Sequence, residues 1–258
     1  MKAQPNAPPC VNGVMKIVFL PILFLLSSLA SAAEVQPVEL HQQLLLPAGG
    51  LDKVVALTLD ACGGGFDTEF AVFLIEHRIH TTIFATRLWI RRNPEALALL
   101  KAHADLFDIE DHGANHIPAV IGIGRSVYGI AGVADLKQLR REVSGGANAV
   151  TAATGIVPHW YRGATGEYDP EALKTIEAMG YKVAGFSVNA DNGATLGKKK
   201  IVARMKKVHS GDIIIAHLNR PASDTGEGMA EGLQLLLDQG FQFVRLDGAQ
   251  VRTLQKHI

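Results

Sequence analysis

Cysteine is nearly absent: Cys10 and Cys62 are the two in 258 residues. Charge of one sign is absent too, with 25 basic against 25 acidic residues. That balance gives no electrostatic footprint for nucleic acid or an anionic membrane surface. No GxGxxG and no P-loop follows the first apolar run, which removes the main nucleotide-binding reading. No GxSxG elbow or supported Cys/His nucleophile pair occurs, and no internal repeat is visible. What remains is 48% hydrophobic and 19% charged, the composition of a globular chain with a sizeable core. Its length fits one large domain or two small ones.

Residues 15–32, "MKIVFLPILFLLSSLASA", run from a lysine through an apolar stretch to small residues ending Ala30-Ser31-Ala32. This is the layout of a secretory signal peptide, with cleavage expected after Ala32. The rival reading is an uncleaved anchor, but Pro21 and serines interrupt a run already short for a full span. The stretch before it makes a long leader, and Met15 is an alternative start. The expected mature protein is exported, periplasmic or extracellular, with no membrane span after cleavage. It keeps every acid but loses Lys2 and Lys16, a slight acidic excess. Cys10 leaves with the leader, so Cys62 stands alone and no internal disulfide can form.

After an irregular segment over 33–52, a rhythm begins. Apolar, β-rich runs fall at 53–60, 81–86, 106–110, 157–162, 181–188, 212–218 and 241–246. Helical periodicity occupies 67–78, 93–104, 135–153, 169–179, 197–209 and 227–239. Alternation of this kind predicts parallel strands joined by crossovers. Several helices stop at a glycine that leads straight into a strand, as in "IEAMGYKVAGF". Seven strand candidates in series point to an α/β fold, a closed or nearly closed (β/α) barrel in a single domain over 53–258.

In such barrels the chemistry gathers where strands end. The predicted ends carry Asp60, Asp111 with His112, Arg162, Asn189 with Asp191, and His217. His112 and His116 in "DHGANH" are spaced i, i+4, which on one helical turn would let both imidazoles share a cation. His217 ends the most apolar strand, "GDIIIAHL", and reads as a proton donor or acceptor rather than a core histidine. Arg162 in "WYRGATG" either stacks on Trp160 or Tyr161 or orients a carboxylate. The glycine-rich segment 119–134 reads equally as a mobile loop over the site or a buried connection. The remaining histidines at 77, 80, 103, 159 and 209 have no comparable setting.

In order, "LTLDACGG", "IEDHGANH", "WYRGATG", "FSVNAD" and "IIIAHL" resemble the polysaccharide deacetylase (NodB-homology) family, carbohydrate esterases of family four. The resemblance spans roughly residues 53–247 and includes "HTTIFATRLWI" as the second strand. It implies a distorted seven-stranded (β/α) barrel. It also implies a hydrolase that removes acetyl groups from N-acetylated, or in some members O-acetylated, glycans with a divalent metal, zinc being expected here. By position it makes Asp60 the catalytic base, Arg162 the residue that orients it, His217 the general acid, and His112 and His116 metal ligands. Asp191, or else Asn189 or Asn192, would support these charges. Thr165 would offer a backbone N–H to the oxyanion, with Gly163 beside it on the substrate side.

Three departures qualify the resemblance. Ala61 stands where the family has its second aspartate, the third metal ligand. Cys62 or Asp111 is the candidate replacement, or Asp60 binds the metal itself. Gly113 replaces a serine or threonine, and the groove motif after Arg162 lacks the family's prolines and aromatic. Two further readings follow: an inactive glycan-binding relative, and an amidohydrolase of a small substrate with a closed pocket.

Overall fold

A computed structural model of the chain describes Met1, residues 36–47, Gly49 and residues 53–254. The expected signal peptide and its cleavage site lie outside the described residues, as do both ends of the 33–52 segment.

Eight parallel strands make the central sheet: β1 (Val54–Ala61), β2 (Thr81–Ala85), β3 (Phe107–Asp111), β4 (Trp160–Tyr161), β5 (Lys182–Val183), β6 (Val188–Asn189), β7 (Ile213–His217) and β8 (Gln242–Val244). All eight residues of β1, "VVALTLDA", are buried. A strand covered on both faces needs no polar side, and such runs belong to parallel sheets wrapped by helices. Pairing runs β1–β2–β3–β4–β5 on one side and β1–β7–β6 on the other. β8 bonds to the first residues of β1.

The expected fifth strand, 181–188, is thus two short pieces. β5 bonds to β4 at one edge of the sheet, and β6 bonds to β7 at the other. One run of chain joins the two edges and curls the sheet, so the seven expected strand runs form a distorted barrel. Its interior packs Ala56, Phe84, Trp160, Phe186 and Ile215. Its outer face packs Leu57, Leu59 and Ile83 against the helices.

The expected helices are present as α1 (Thr68–Glu76), α3 (Pro94–Ala102), α4 (Leu136–Thr154), α5 (Pro170–Ala178), α6 (Lys198–Met205) and α7 (Thr225–Asp238). An unexpected helix, α2 (Arg87–Arg92), occupies what reads as the end of the second strand. The strand stops at Ala85 because Thr86 caps a helix, its Oγ1 accepting from Trp89 N–H at 2.9 Å.

The 33–52 segment is not wholly irregular. Val38–Glu39 joins a small sheet with Ala164–Tyr168 and Pro118–Ala119, and Gln42–Leu44 pairs with Val251–Thr253. Gln42 ties this segment to the barrel seam, donating to Val183 O at 3.2 Å and accepting from Gly185 N–H at 2.7 Å. Among the described residues, no helix is long and apolar enough to cross a membrane.

Candidate metal centre and active site

Side chains alternate along a strand, so Thr58 and Asp60 of β1 face the barrel interior while Leu59 and Ala61 face the helices. Arg162, just past β4, enters the same interior and is fully buried. Its Nη1 donates to Asp60 Oδ1 and Thr58 Oγ1, both at 2.9 Å, and Nη2 donates to Gly185 O at 3.2 Å. The guanidinium also lies over Phe84, 4.2 Å from the ring centre. A buried cation so fully bonded is held in one pose. Burial favours a neutral Asp60, yet the charges of His112, Arg162 and His217 outweigh it and hold the carboxyl below its ordinary value.

Cys62 is the next residue on the Asp60 side of the chain, and its Sγ lies 3.5 Å from His112 Nε2. The glycine loop that carries it is fastened by α2 and its flanks. Thr86 Oγ1 donates to Cys62 O, Arg92 to Gly63 O at 2.7 Å, Asn93 to Gly64 O at 3.1 Å, and Trp89 Nε1 to Gly65 O at 2.8 Å. Gly64 is required by close approach: a Cβ there would meet the main-chain oxygen of Asn219 at 2.3 Å.

Just beyond β3, His112 Nδ1 donates to Arg162 O at 2.7 Å. That bond fixes the tautomer and turns Nε2 toward Cys62 and toward Asp60 Oδ2, 3.7 Å away. His116 packs edge-on against His112 with ring centres 5.0 Å apart. The pair is not on a helical turn: residues 112–117 form a loop, and His116 has φ +60. Asp111 points elsewhere. Its Oδ1 accepts from Gly113 N–H at 2.8 Å and lies against Gly146 of α4. Asp111 is therefore not part of the donor group, because strand alternation turns it away from the face His112 occupies.

On the far side, His217 Nδ1 lies 3.1 Å from both oxygens of Asp191, which also accepts from His217 N–H at 2.9 Å and Thr225 Oγ1 at 3.2 Å. With Nδ1 held by Asp191, Nε2 is the nitrogen left for the Cys62 side of the cavity. Burial lowers the His217 pKa, but the bond to Asp191 and the negative charges of Asp191 and Cys62 win and raise it well above the ordinary value.

Asp60, Cys62, His116 and His217 line one cavity of about 890 Å³ that also touches Tyr128, Thr165, Asn219 and Arg220, with Arg162, His112 and Asp191 bonded behind them. Thr165 has φ +71, and its buried hydroxyl has no hydrogen-bond partner among the described residues. Gly163 does not offer a free amide, since its N–H donates to Tyr168 Oη at 2.8 Å. Segment 119–134 contains a hairpin, Ser126–Val127 with Ile130–Ala131, whose tip residue Tyr128 is 78% exposed at the cavity rim. Neither the hairpin nor the α2 fastening had a periodic signal in the sequence.

Cys62, His112 and His116 each present one donor atom, all within 4.8 Å of one another. Zinc bonds of about 2.3 Å to sulfur and about 2.0–2.1 Å to nitrogen at the tetrahedral angle place S and N roughly 3.6 Å apart. The Cys62–His112 separation of 3.5 Å fits. Burial raises the Cys62 thiol pKa, but the charge of His112 and bonds from His112, His116 and His217 carry it well below the usual value, toward the ligating thiolate. His112 is pushed up to about 9: burial opposes, and the charges of Asp60 and Cys62 outweigh it. The same negative field attracts a cation. The residues fit a soft divalent ion.

The polysaccharide deacetylase family model matches residues 49–184, more than half of the chain, and the protein belongs to that family. The family is one of hydrolases acting on acetylated glycans and is generally metal-dependent. No curated protein matches the sequence. Among solved structures, a carbohydrate esterase family 4 pseudoenzyme from Bacillus anthracis is similar, at 20% identity and TM-score 0.60 over 76% of this chain and 65% of that one. PdaA of Bacillus subtilis, a family 4 carbohydrate esterase, is 23% identical with TM-score 0.61 over 76% of this chain and 80% of that one. A family 4 carbohydrate esterase from Streptomyces lividans, in complex with acetate, is 20% identical with TM-score 0.60 over 75% and 93%. The chain thus spans about two thirds of the length of the Bacillus anthracis protein.

Proposed function

We propose that this protein is an exported, metal-dependent deacetylase of an N-acetylated or O-acetylated glycan. One observation carries the reading. The Asp60–Arg162 pair, the Cys62/His112/His116 donors and the Asp191–His217 pair converge on a single cavity.

Each group has a role that its partners support. A divalent ion held by Cys62, His112 and His116 would supply Lewis acidity at the acyl carbonyl. Arg162 keeps Asp60 ionised and occupies Oδ1, leaving Oδ2 to take a proton from the attacking water. His217, with Nδ1 held by Asp191 and a raised pKa, presents a proton on Nε2 to the departing amine or alcohol. The Thr165 backbone sits on the cavity wall as the candidate oxyanion donor. Water adds to the carbonyl carbon, the C–N or C–O bond breaks, and the products are acetate and the free sugar group.

Cys62 answers the loss of the family's second aspartate. Ala61 packs in the helix-facing core, while Cys62 lies on the Asp60 side. A thiolate in place of a carboxylate makes zinc the favoured ion. The cavity is at the large end of the roughly 300–1,000 Å³ usual for small-molecule sites, and its rim is exposed, which favours a glycan over a small enclosed substrate. Export rests on the leader-like residues 15–32. The competing reading, an inactive glycan-binding relative, draws on Ala61 and on the pseudoenzyme among its structural neighbours.

The test is elemental analysis of the purified protein and of Cys62→Ala and His116→Ala variants, followed by acetate release from acetylated glycans. Near-stoichiometric zinc that disappears in both variants, with acetate released by wild type alone, is expected. A wild type that refuses zinc, cobalt and nickel would leave the binding protein as the answer. Export is checked by the N-terminal residue of the mature protein recovered outside the cytoplasm, expected at Ala33.

A further inference from the structure

Helix α4 carries two glycines at its centre, Gly145 and Gly146, each of which costs about 0.5–1 kcal/mol relative to alanine. Close approach explains them. A Cβ on Gly146 would lie 2.0 Å from Asp111 Oδ1, and one on Gly145 would lie 2.9 Å from Ala114 Cβ. The helix therefore sits directly on the loop that bears His112 and His116.

That approach delivers Glu142 into the loop. Glu142 is 2% exposed, and its carboxylate is spent on the neighbours of His116. Oε1 accepts from Asn115 N–H at 2.7 Å and from Ile117 N–H at 3.2 Å, while Oε2 accepts from Asn115 Nδ2 at 3.2 Å. The main-chain oxygen of Glu142 accepts from Ala114 N–H at 2.9 Å. Gly113 completes the fit: it has φ +84, and a Cβ there would stand 2.6 Å from Glu142 Oε1.

His116 itself has φ +60, a left-handed conformation that costs a non-glycine residue roughly 1–2 kcal/mol. The two amides that flank it are the two that Glu142 Oε1 binds. We infer that Glu142 is the positioning residue of the metal centre, holding His116 in the strained backbone that aims its ring at Cys62 and His112. This rests on reading those three side chains as metal donors. Without the bracket the loop relaxes toward ordinary φ, and the imidazole leaves the donor group. Supporting residues of this kind change metal affinity by about 10–100-fold.

The role is one of reach rather than charge, and two substitutions separate these. Glu142→Gln keeps a carbonyl oxygen for the Asn115 and Ile117 amides, removes the charge and gives up the bond from Asn115 Nδ2. Glu142→Asp keeps the charge and shortens the reach by one methylene. Zinc affinity by chelator competition, the absorption spectrum of the cobalt form, and amide exchange over residues 113–118 without metal are measured on each. Glu142→Gln is expected within about threefold of wild type, and Glu142→Asp weaker by about tenfold or more with an altered cobalt spectrum and faster exchange. A Glu142→Asp protein with wild-type zinc affinity and spectrum would overturn the inference, as would a Gln variant weakened as much as Asp. A wild type that takes up neither ion would overturn the metal reading. The exchange comparison, which needs no ion, would then show separately whether Glu142 holds the loop.

Discussion

Arg162→Met is the most informative single perturbation of the barrel interior. Arg162 is fully buried, pairs with Asp60 at 2.9 Å, and bonds Thr58 and the main chain at Gly185. Methionine fills most of the volume but leaves Asp60 as a buried charge facing Phe84 and unbonded carbonyls. Breaking a buried pair from one side costs about 3–5 kcal/mol; His112, 3.7 Å from Asp60, keeps part of the compensation, so the lower end of that range is expected. For a chain of this size that is a fall in Tm of roughly 10 °C. Asp60→Asn/Arg162→Met removes both charges and is expected to recover much of the loss, giving a coupling energy of at least about 2 kcal/mol. Urea unfolding of wild type, both single variants and the double variant measures the cycle. A single variant that loses less than about 1 kcal/mol, or strictly additive losses, would refute the claim that this pair holds Asp60 ionised.

Two further outcomes follow from other parts of the molecule. Glu110 is buried beside Asp108, with Oε2 accepting from His159 and Trp160 N–H at 2.8 and 2.9 Å; burial, and then the charge of Asp108, push its pKa up to about 8. The folded state therefore binds a proton that the unfolded state releases near pH 4.5, so stability falls as pH rises from about 4.5 to about 8. Thermal unfolding across that window should show the fall in wild type and a flatter profile in Glu110→Gln; parallel profiles would remove Glu110 as its source. Tyr128 is exposed at the hairpin tip on the cavity rim, where under the proposed function it would stack on a sugar ring. Tyr128→Ala is expected to raise KM for a long acetylated oligosaccharide about three- to tenfold with kcat little changed, the worth of one aromatic contact. An unchanged KM would show that the glycan does not reach the hairpin.

Much of the architecture was legible because it is local. The runs at 53–60, 81–86 and 212–218 are apolar over a strand's length, and the helices between them keep a 3.6-residue period, so the parallel barrel follows from periodicity alone. The polar residues that end those runs could be named for the same reason. Two expectations differ from the fold. The family resemblance carried the second strand through "ATRLWI", yet Thr86 caps a helix there. The i, i+4 histidines suggested a helical turn, whereas His116 is left-handed in a loop. Asp111 was a candidate ligand by proximity to His112, and strand alternation, already present in the sequence, turns it to the opposite face.

By itself, then, the sequence determined the order of the main strands and helices and which polar groups reach the strand ends. Only the tertiary structure decided which of those groups meet. Cys62 reaches His112 across 50 residues, Glu142 brackets His116 from another element, and α2 fastens the four carbonyls from Cys62 to Gly65. Such contacts depend on strand stagger and on how closely a helix can approach, and that distance is set by the absence of a Cβ at Gly64, Gly113 and Gly146. A glycine in a sequence permits close approach, but the partner it admits is named only when the chain has folded.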